Sequence, residues 1–303
     1  MKTESAVLLM AASIAVTGMC YGDAEERTSS REAGKLPVQL MAVSEPHPLK
    51  ILSVYEGVGV AEAGRLAAPV AITFVAPGET GYWRDVGVAW PADASNAVLY
   101  AANLWSILID SPVPITLEAT WTASLPPGVL GHSGPMEYAR NFTGAAAADT
   151  WYPVTLANFL HGGDVAPGED DFAMAFSSSF SWYTGTDGNT PPSEYDFVTV
   201  VLHEMCHGLG FLGSMDCIAG VGMWGWGTGC PIIYDRFTED NGGTALLDTN
   251  TYANPSIALG SALRSGDVYF DGPHANAANG GPRVPLYAPP AWNSGSSYSH
   301  LDE

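Results

Sequence analysis

Hydrophobic patterns predict a strand, a helix and a second strand between residues 69 and 122. Pro69–Val75 is a β-branched run bounded by glycine and proline, and Pro114–Thr122 alternates, so both predict strands. Between them, apolar residues recur at helical spacing from an Asp93 cap to about Asp110. This apolar stripe should cover one face of a sheet and consists of Val98, Ala101, Ala102, Trp105, Leu108 and Ile109.

A further strand is predicted from the alternation of large and small residues in Asp171–Trp182. We expect it at an edge of the sheet, where its main-chain groups could hold an extended peptide by strand addition. An ordinary half-buried strand is the alternative. The next loop, Thr184–Ser193, is rich in oxygen-bearing side chains but lacks the spaced carboxylates of a calcium loop. We therefore favour a solvated connection over a Ca²⁺ site there.

The strongest chemical pattern is His-Glu-x-x-His within the apolar segment Val201–Phe211. Residues four apart share one face of a helix, so His203 and His207 can each direct a ring nitrogen at one metal ion. Glu204 is offset from that pair and is placed to accept a proton from water. A helix with two metal-free histidines is the alternative, but buried helices seldom carry this combination. The motif predicts a zinc hydrolase centre.

A catalytic zinc ion takes three protein ligands and keeps one position open. The motif resembles that of the metzincin peptidases, His-Glu-x-x-His-x-x-Gly-x-x-His, through Gly210. It departs from that pattern at Gly213, which stands where the third histidine would be. With the late Ser-His-Leu-Asp-Glu sequence at residues 299–303, the chain looks like secreted metzincin-type peptidases of the leishmanolysin-like group, in which the third histidine is displaced.

The resemblance implies His300 as the third zinc ligand and a peptide as the substrate. His274 is the main alternative ligand, and Asp216 and Asp235 are weaker ones. Zinc held by neutral imidazoles lowers the pKa of its water toward about 7 and polarises a carbonyl group. Glu204 would take the proton from the water and carry it to the leaving amine.

The resemblance also implies an α+β fold of the metzincin-like zincin kind. A mixed twisted sheet would pack on the active-site helix and a second helix, followed by an irregular C-terminal subdomain, with the catalytic domain spanning residues 67–303. Metzincins carry a methionine turn after the third ligand, whereas only three residues follow His300. We expect a C-terminally incomplete catalytic domain. An earlier third ligand and a differently built site floor are the alternatives.

The first residues resemble a secretory signal peptide. Residues 1–22 contain Lys2, an apolar run from Ala6 to Gly18, and small residues suited to cleavage. A lipid anchor on Cys20 is the alternative. Residues 23–66 are mixed and charged, and we interpret them as a linker or short pro-segment.

Cysteine usage is typical of an exported protein. Three cysteines follow Cys20, and Cys217 with Cys230 would close a short loop as a disulfide bond in an oxidising compartment. Cys206 lies inside the zinc motif, where we expect a small buried helix residue rather than a ligand.

Composition narrows the class of protein. With 47% hydrophobic and 14% charged residues, a chain of 303 residues can bury a sizeable core, which excludes a disordered polymer. The net charge of −21 argues against nucleic-acid or membrane partners. We therefore expect a secreted or periplasmic zinc metalloendopeptidase acting on proteins or peptides. A non-catalytic zinc-containing surface or matrix-binding protein is the alternative, and a small-amide hydrolase is less favoured because the predicted edge strand indicates an open groove.

Overall fold

A computed structural model of the protein describes residues 39–42 and 69–302. The predicted signal peptide and, apart from residues 39–42, the predicted pro-segment lie outside the described residues. The strands, numbered in chain order, are β1 Gln39–Ala42, β2 Val70–Phe74, β3 Ile115–Thr122, β4 Val129–Pro135, β5 Tyr138–Ala139, β6 Tyr152–Pro153, β7 Phe172–Ser177, β8 Trp182–Tyr183, β9 Tyr195–Asp196, β10 Asp216–Ile218, β11 Val221–Met223, β12 Thr238–Asp240, β13 Val268–Phe270 and β14 Val284–Leu286.

The helices are few, and only two of the described ones exceed eight residues. They are α1 Ala92–Leu108, α2 Val154–His161, α3 Phe197–Gly208, α4 Ile257–Ala262 and α5 Pro273–Ala278, with 3₁₀ turns at Gly225–Gly227 and Ile233–Phe237. The fold is thus mixed α+β, as predicted. No helix in the described part of the chain has the length and apolar character needed to cross a membrane.

One mixed sheet of five strands organises the N-terminal half, in the order β1-β4-β7-β3-β2. Strands β2, β3 and β7 are parallel, whereas β4 is antiparallel to β7 and β1 is antiparallel to β4. The predicted strands at 69–75 and 114–122 form as β2 and β3. The β2-α1-β3 order predicted for this region is confirmed.

Strand β7 corrects the prediction of an edge strand at Asp171–Trp182. It covers only Phe172–Ser177, lies at the centre of the sheet between β3 and β4, and is buried along its whole length. Large side chains at Phe172, Met174 and Phe176 alternate with Ala173 and Ala175, and all five residues are buried. A central strand has no free main-chain groups to hold a peptide.

Helix α1 confirms the predicted helix with a different start. Pro91, not Asp93, is the N-cap, and Asp93 lies in the first turn, where its Oδ1 accepts from the Ala94 amide at 3.0 Å. The predicted stripe is largely buried, and the Trp105 indole donates to the Leu202 carbonyl at 3.3 Å. This bond joins α1 directly to α3.

Helix α3 lies on the sheet face that carries the large side chains of β7. The Phe197 ring stands 5.0 Å from Phe176 and 5.4 Å from Trp121. At its start, the Asp196 carboxylate accepts from the Thr199 amide at 3.2 Å, which caps the helix. Burial of one apolar face anchors the helix and leaves its other face for chemistry.

The C-terminal part, after α3, contains only short elements. It contains the β10-β11 hairpin, a three-stranded antiparallel sheet in the order β12-β13-β14, and the short helices α4 and α5. Its apolar side chains belong to the same core as those of the main sheet.

The predicted disulfide between Cys217 and Cys230 is not formed. Both cysteines are buried, and neither they nor Cys206 takes part in a disulfide bond. The Cys217 thiol lies 3.9 Å from the Gly260 carbonyl, whereas the Cys230 sulfur accepts from Arg140 at 3.1 Å. The two side chains are thus directed at different neighbours, and short sequence separation did not bring the sulfurs together.

Candidate metal centre

Helix α3 places His203 and His207 one turn apart on one side of the helix. Their Nε2 atoms lie 3.0 Å from each other. Gly210, just beyond the helix, adopts a φ of 118°, a conformation open to glycine and to few other residues. The chain turns there, and the Phe211 carbonyl comes back to accept from Nδ1 of His207 at 2.7 Å.

His300 reaches the same point from the end of the described chain. Its Nε2 lies 3.0 Å from Nε2 of His203, and its Nδ1 donates to the Ser296 carbonyl at 2.7 Å. A carbonyl can only accept, so His207 and His300 carry their proton on Nδ1 and direct an unprotonated Nε2 inward. Within the described residues this is the one group of three His, Cys, Asp or Glu side chains arranged to hold an ion.

The spacing of the three rings fits a metal ion. Their ligand atoms all lie within 4.8 Å of one another. In a tetrahedral zinc site the donor atoms are about 3.3 Å apart, since each lies about 2.0–2.1 Å from the ion. The observed separations of 3.0 Å are close to that value. A His203, His207 and His300 group could therefore bind a metal ion, and three imidazoles leave one coordination position open.

Burial keeps these imidazoles neutral. Desolvation lowers the pKa of His207 to about 3 and that of His300 to about 4. It also lowers the pKa of His203 well below its ordinary value, and the neighbouring rings lower it further. Neutral imidazole is the form that coordinates a metal, so no proton has to be removed from these rings at neutral pH.

Glu204 is completely buried, with a relative exposure of 0%. Neither of its carboxylate oxygens has a hydrogen-bond partner among the described residues, and burial raises its pKa well above the ordinary value. A buried carboxyl group without partners is costly and uncommon. Glu204 is therefore a buried carboxyl group without partners, next in sequence to His203, which is itself partly exposed.

Strand β4 passes directly beside this carboxyl group. A Cβ added at Gly131 would lie 3.2 Å from Oε1 of Glu204, so the glycine leaves the space that the carboxyl group occupies. Along one edge, β4 pairs with β1, and Met41 of β1 is paired with Gly131. A segment from the predicted pro-segment thus forms the strand β1, which is adjacent to β4, the strand that approaches Glu204.

The remaining histidines of the described chain lie outside the group. His274 is exposed on α5, and His161 is exposed at the end of α2. His132 is buried on β4 and pairs with Asp85 at 2.8 Å. His47 lies outside the described residues.

Neither carboxylate considered as a third ligand joins the histidines. Asp216 begins β10, where its Oδ1 accepts from the Cys217 amide at 2.7 Å. Asp235 is fully buried in a network of its own. In the loop 184–193, Asp187 accepts from Tyr183 and from the Asn189 amide.

Sequence reasoning missed how Gly213 takes part in the site. A Cβ at Gly213 would overlap the Cε1 atom of the Tyr298 ring, so the segment carrying His300 packs where a side chain at 213 would be. A histidine at 213 and the observed Tyr298 cannot coexist. The glycine at the third-ligand position of the familiar motif was the available signal.

Comparison with known proteins identifies no relative: no family model, no curated protein sequence and no solved structure matches this chain.

Proposed function

We propose that this protein is a secreted zinc-dependent endopeptidase of the metzincin type, with His203, His207 and His300 as zinc ligands and Glu204 as the general base. The observation that supports it best is the convergence of three neutral imidazoles, from two distant parts of the chain, near a buried carboxyl group that has no partner. A purely structural metal site would not need that carboxyl group.

The donor set favours zinc over the other metals considered. Three imidazole nitrogens with one open position are the ligands of catalytic zinc, whereas Ca²⁺ and Mg²⁺ prefer oxygen. When bound, zinc supplies a Lewis acid that polarises a carbonyl group and lowers the pKa of water. The carbonyls of Phe211 and Ser296 orient the rings of His207 and His300 and make their Nε2 atoms more basic.

Glu204 accepts a proton from the attacking water and delivers it to the leaving amine. Its oxygens are free for that exchange because no side chain or main-chain donor of the described protein occupies them. Burial of Glu204 strengthens the interactions of its carboxylate with a polarised substrate.

The substrate that we propose is an extended peptide bound along β4. Strand β4 is the sheet strand next to Glu204, and β1 pairs with it in antiparallel register, so an extended chain fits that position. Main-chain hydrogen bonds of this kind are independent of sequence and suit an endopeptidase. Residues 39–42 would then compete with the substrate for β4.

Metal content and activity of the Glu204→Gln variant test the proposal. Gln keeps the shape of Glu204 and loses its basicity, so we expect one zinc ion per chain and a peptidase rate about 10²–10⁴-fold below that of the wild type. The measurements are elemental analysis and digestion of a peptide library by the exported full-length chain, with and without a chelator.

Three results separate the alternatives. Retained digestion by Glu204→Gln removes this residue from the mechanism. Zinc binding with no digestion by the wild type favours the non-catalytic surface or matrix-binding protein. A wild type that takes up no metal refutes the whole proposal.

A further inference from the structure

Asp235 is a buried carboxylate whose two oxygens are fully used. Its Oδ1 accepts from the Ser214 amide at 2.9 Å and from the Tyr298 hydroxyl at 3.0 Å. Its Oδ2 accepts from the Ile232 amide at 2.9 Å and from the Ser214 hydroxyl. Burial of a carboxylate is costly, and four donors offset that cost only while all of them stay in place. We call Asp235, Ser214, Ile232 and Tyr298 the Asp235 clamp.

One arm of the Asp235 clamp holds the chain that leaves α3. Ser214 lies three residues after Phe211, whose carbonyl orients His207. Ser214 gives both its amide and its hydroxyl to Asp235, and its hydroxyl oxygen accepts from the Gly225 amide at 2.8 Å. The path of residues 211–214 is therefore fixed by the carboxylate.

The other arm holds the segment that carries His300. Tyr298 lies between Ser296, whose carbonyl orients His300, and His300 itself. Its hydroxyl bonds Asp235 and also lies 2.7 Å from Oγ1 of Thr238. The backbone at Tyr298 has a φ of 73°, a strained conformation that persists only when its surroundings impose it.

The segment that follows α3 and the segment that carries His300 also contact each other directly. The Gly213 amide donates to the Ser299 hydroxyl at 3.1 Å. The Tyr298 ring fills the space beside Gly213, where an added Cβ would also lie 2.7 Å from Oδ1 of Asp235. The segments that orient His207 and His300 are thus joined through one carboxylate, although Gly213 and Ser299 are 86 positions apart in the chain.

We infer that Asp235 is a positioning residue for the metal centre. It holds the His300 segment against the chain leaving α3 and so determines the separation between Nε2 of His300 and the nitrogens of α3. This inference rests on the proposed metal centre. It also replaces the weaker expectation of Asp235 as a ligand, since both of its oxygens are engaged elsewhere.

Zinc affinity of folded variants tests the inference. Asp235→Asn keeps the shape but replaces an accepting oxygen by a donor, and we expect zinc to bind about 10–100-fold more weakly, as for other residues that orient ligands. Tyr298→Phe removes a single hydroxyl and should weaken binding about fivefold. The measurements are chelator competition and the absorption spectrum of the Co²⁺-substituted protein, which reports ligand geometry independently of activity.

Two matched controls separate positioning from general stability. Asp171→Asn changes another buried, hydrogen-bonded carboxylate, and Tyr152→Phe another fully buried tyrosine hydroxyl. Both should leave zinc affinity and the Co²⁺ spectrum unchanged, whatever their effect on the unfolding midpoint. Tyr298→Phe provides the test if Asp235→Asn does not fold.

Wild-type zinc affinity in Tyr298→Phe and in folded Asp235→Asn would overturn the inference, as would an equal loss of affinity in the controls. A wild type that binds no zinc would instead overturn the proposed function. The two failures are therefore distinguishable.

Discussion

The position of the ring proton on each histidine determines whether all three histidines can bind the same ion. Each ring has one nitrogen to direct inward, and the bond made by the other nitrogen determines whether the inward atom is free. For His207 and His300 that bond goes to a main-chain carbonyl, at 2.7 Å in both cases. Main-chain acceptors cannot be removed by a side-chain substitution, so these residues keep the same tautomer in most variants.

Substitution of His300 or of His274 gives a first prediction at the scale of single residues. His300→Ala removes a ring nitrogen from the centre, so zinc should bind on the order of 100-fold more weakly or worse, since even changes beyond the ligands cost about 10–100-fold. His274→Ala alters an exposed ring on α5 and should bind zinc like the wild type. Equal affinities in the two variants, measured by chelator competition, would contradict the assignment.

Substitution of Gly213 gives a second prediction at the scale of single residues. In Gly213→Ala the new methyl group must displace the Tyr298 ring, and we expect a loss of about 1–3 kcal/mol in the free energy of unfolding together with weaker zinc binding. Gly163→Ala is the matched control, because its Cβ would meet nothing nearer than 3.5 Å. Denaturant titration of both variants measures the difference, and a Gly213→Ala protein as stable as the control would refute the packing argument.

Secondary-structure elements were partly predictable from local patterns. The β2-α1-β3 order and helix α3 follow from runs whose periods are clear, and they form within a few residues of the expected bounds. Strand β4 was missed, because two glycines, a histidine and a proline in Val129–Pro135 give it a weak strand pattern. The predicted position of β7 at an edge of the sheet was wrong, because a strand's own sequence does not specify which strands pair with its two edges.

The pairing of β1 with β4 gives a prediction at the scale of elements. Leu40→Pro with Met41→Pro in the full-length chain removes two successive main-chain donors, so at least one bond to β4 is lost whichever residue faces it. A tethered segment competes at an effective concentration of about millimolar. Its release should therefore lower KM for peptides by about tenfold and leave kcat nearly unchanged.

Steady-state kinetics with one peptide substrate measures this effect. Ser29→Pro with Ser30→Pro is the matched control, because it changes the same predicted pro-segment outside β1. An unchanged KM in the Leu40→Pro and Met41→Pro variant would show that β1 does not compete with substrate.

At the scale of the whole molecule, a strongly acidic chain of net charge −21 has a core that contains very few charges. Asp171 is one of the exceptions. Burial raises its pKa to about 6, although the Thr116 amide and the Asn158 side chain donate to it at 2.9 Å and 2.8 Å. It lies directly before β7.

Asp171 should make stability depend on pH. Its pKa in the folded protein exceeds the ordinary 3.8, so its contribution to stability is fully present below pH 3.8 and is lost as the pH rises through about 6. The free energy of unfolding of the wild type, relative to Asp171→Asn, should fall by about 2 kcal/mol between pH 4 and pH 7. Urea titrations in a chelator from pH 4 to pH 7 measure this difference, and a constant difference would contradict the raised pKa.

The sequence by itself determined the local chemistry of this protein. A helix repeat brings His203 and His207 to one side with Glu204 next to them, and that relation needs only helical geometry. Tertiary structure alone decided what completes the site: the approach of His300, the packing of Tyr298 against Gly213, and the placing of β4 beside Glu204. These contacts join residues about 70 to 100 positions apart, and their cost in chain entropy is offset only by a core that the whole chain builds together.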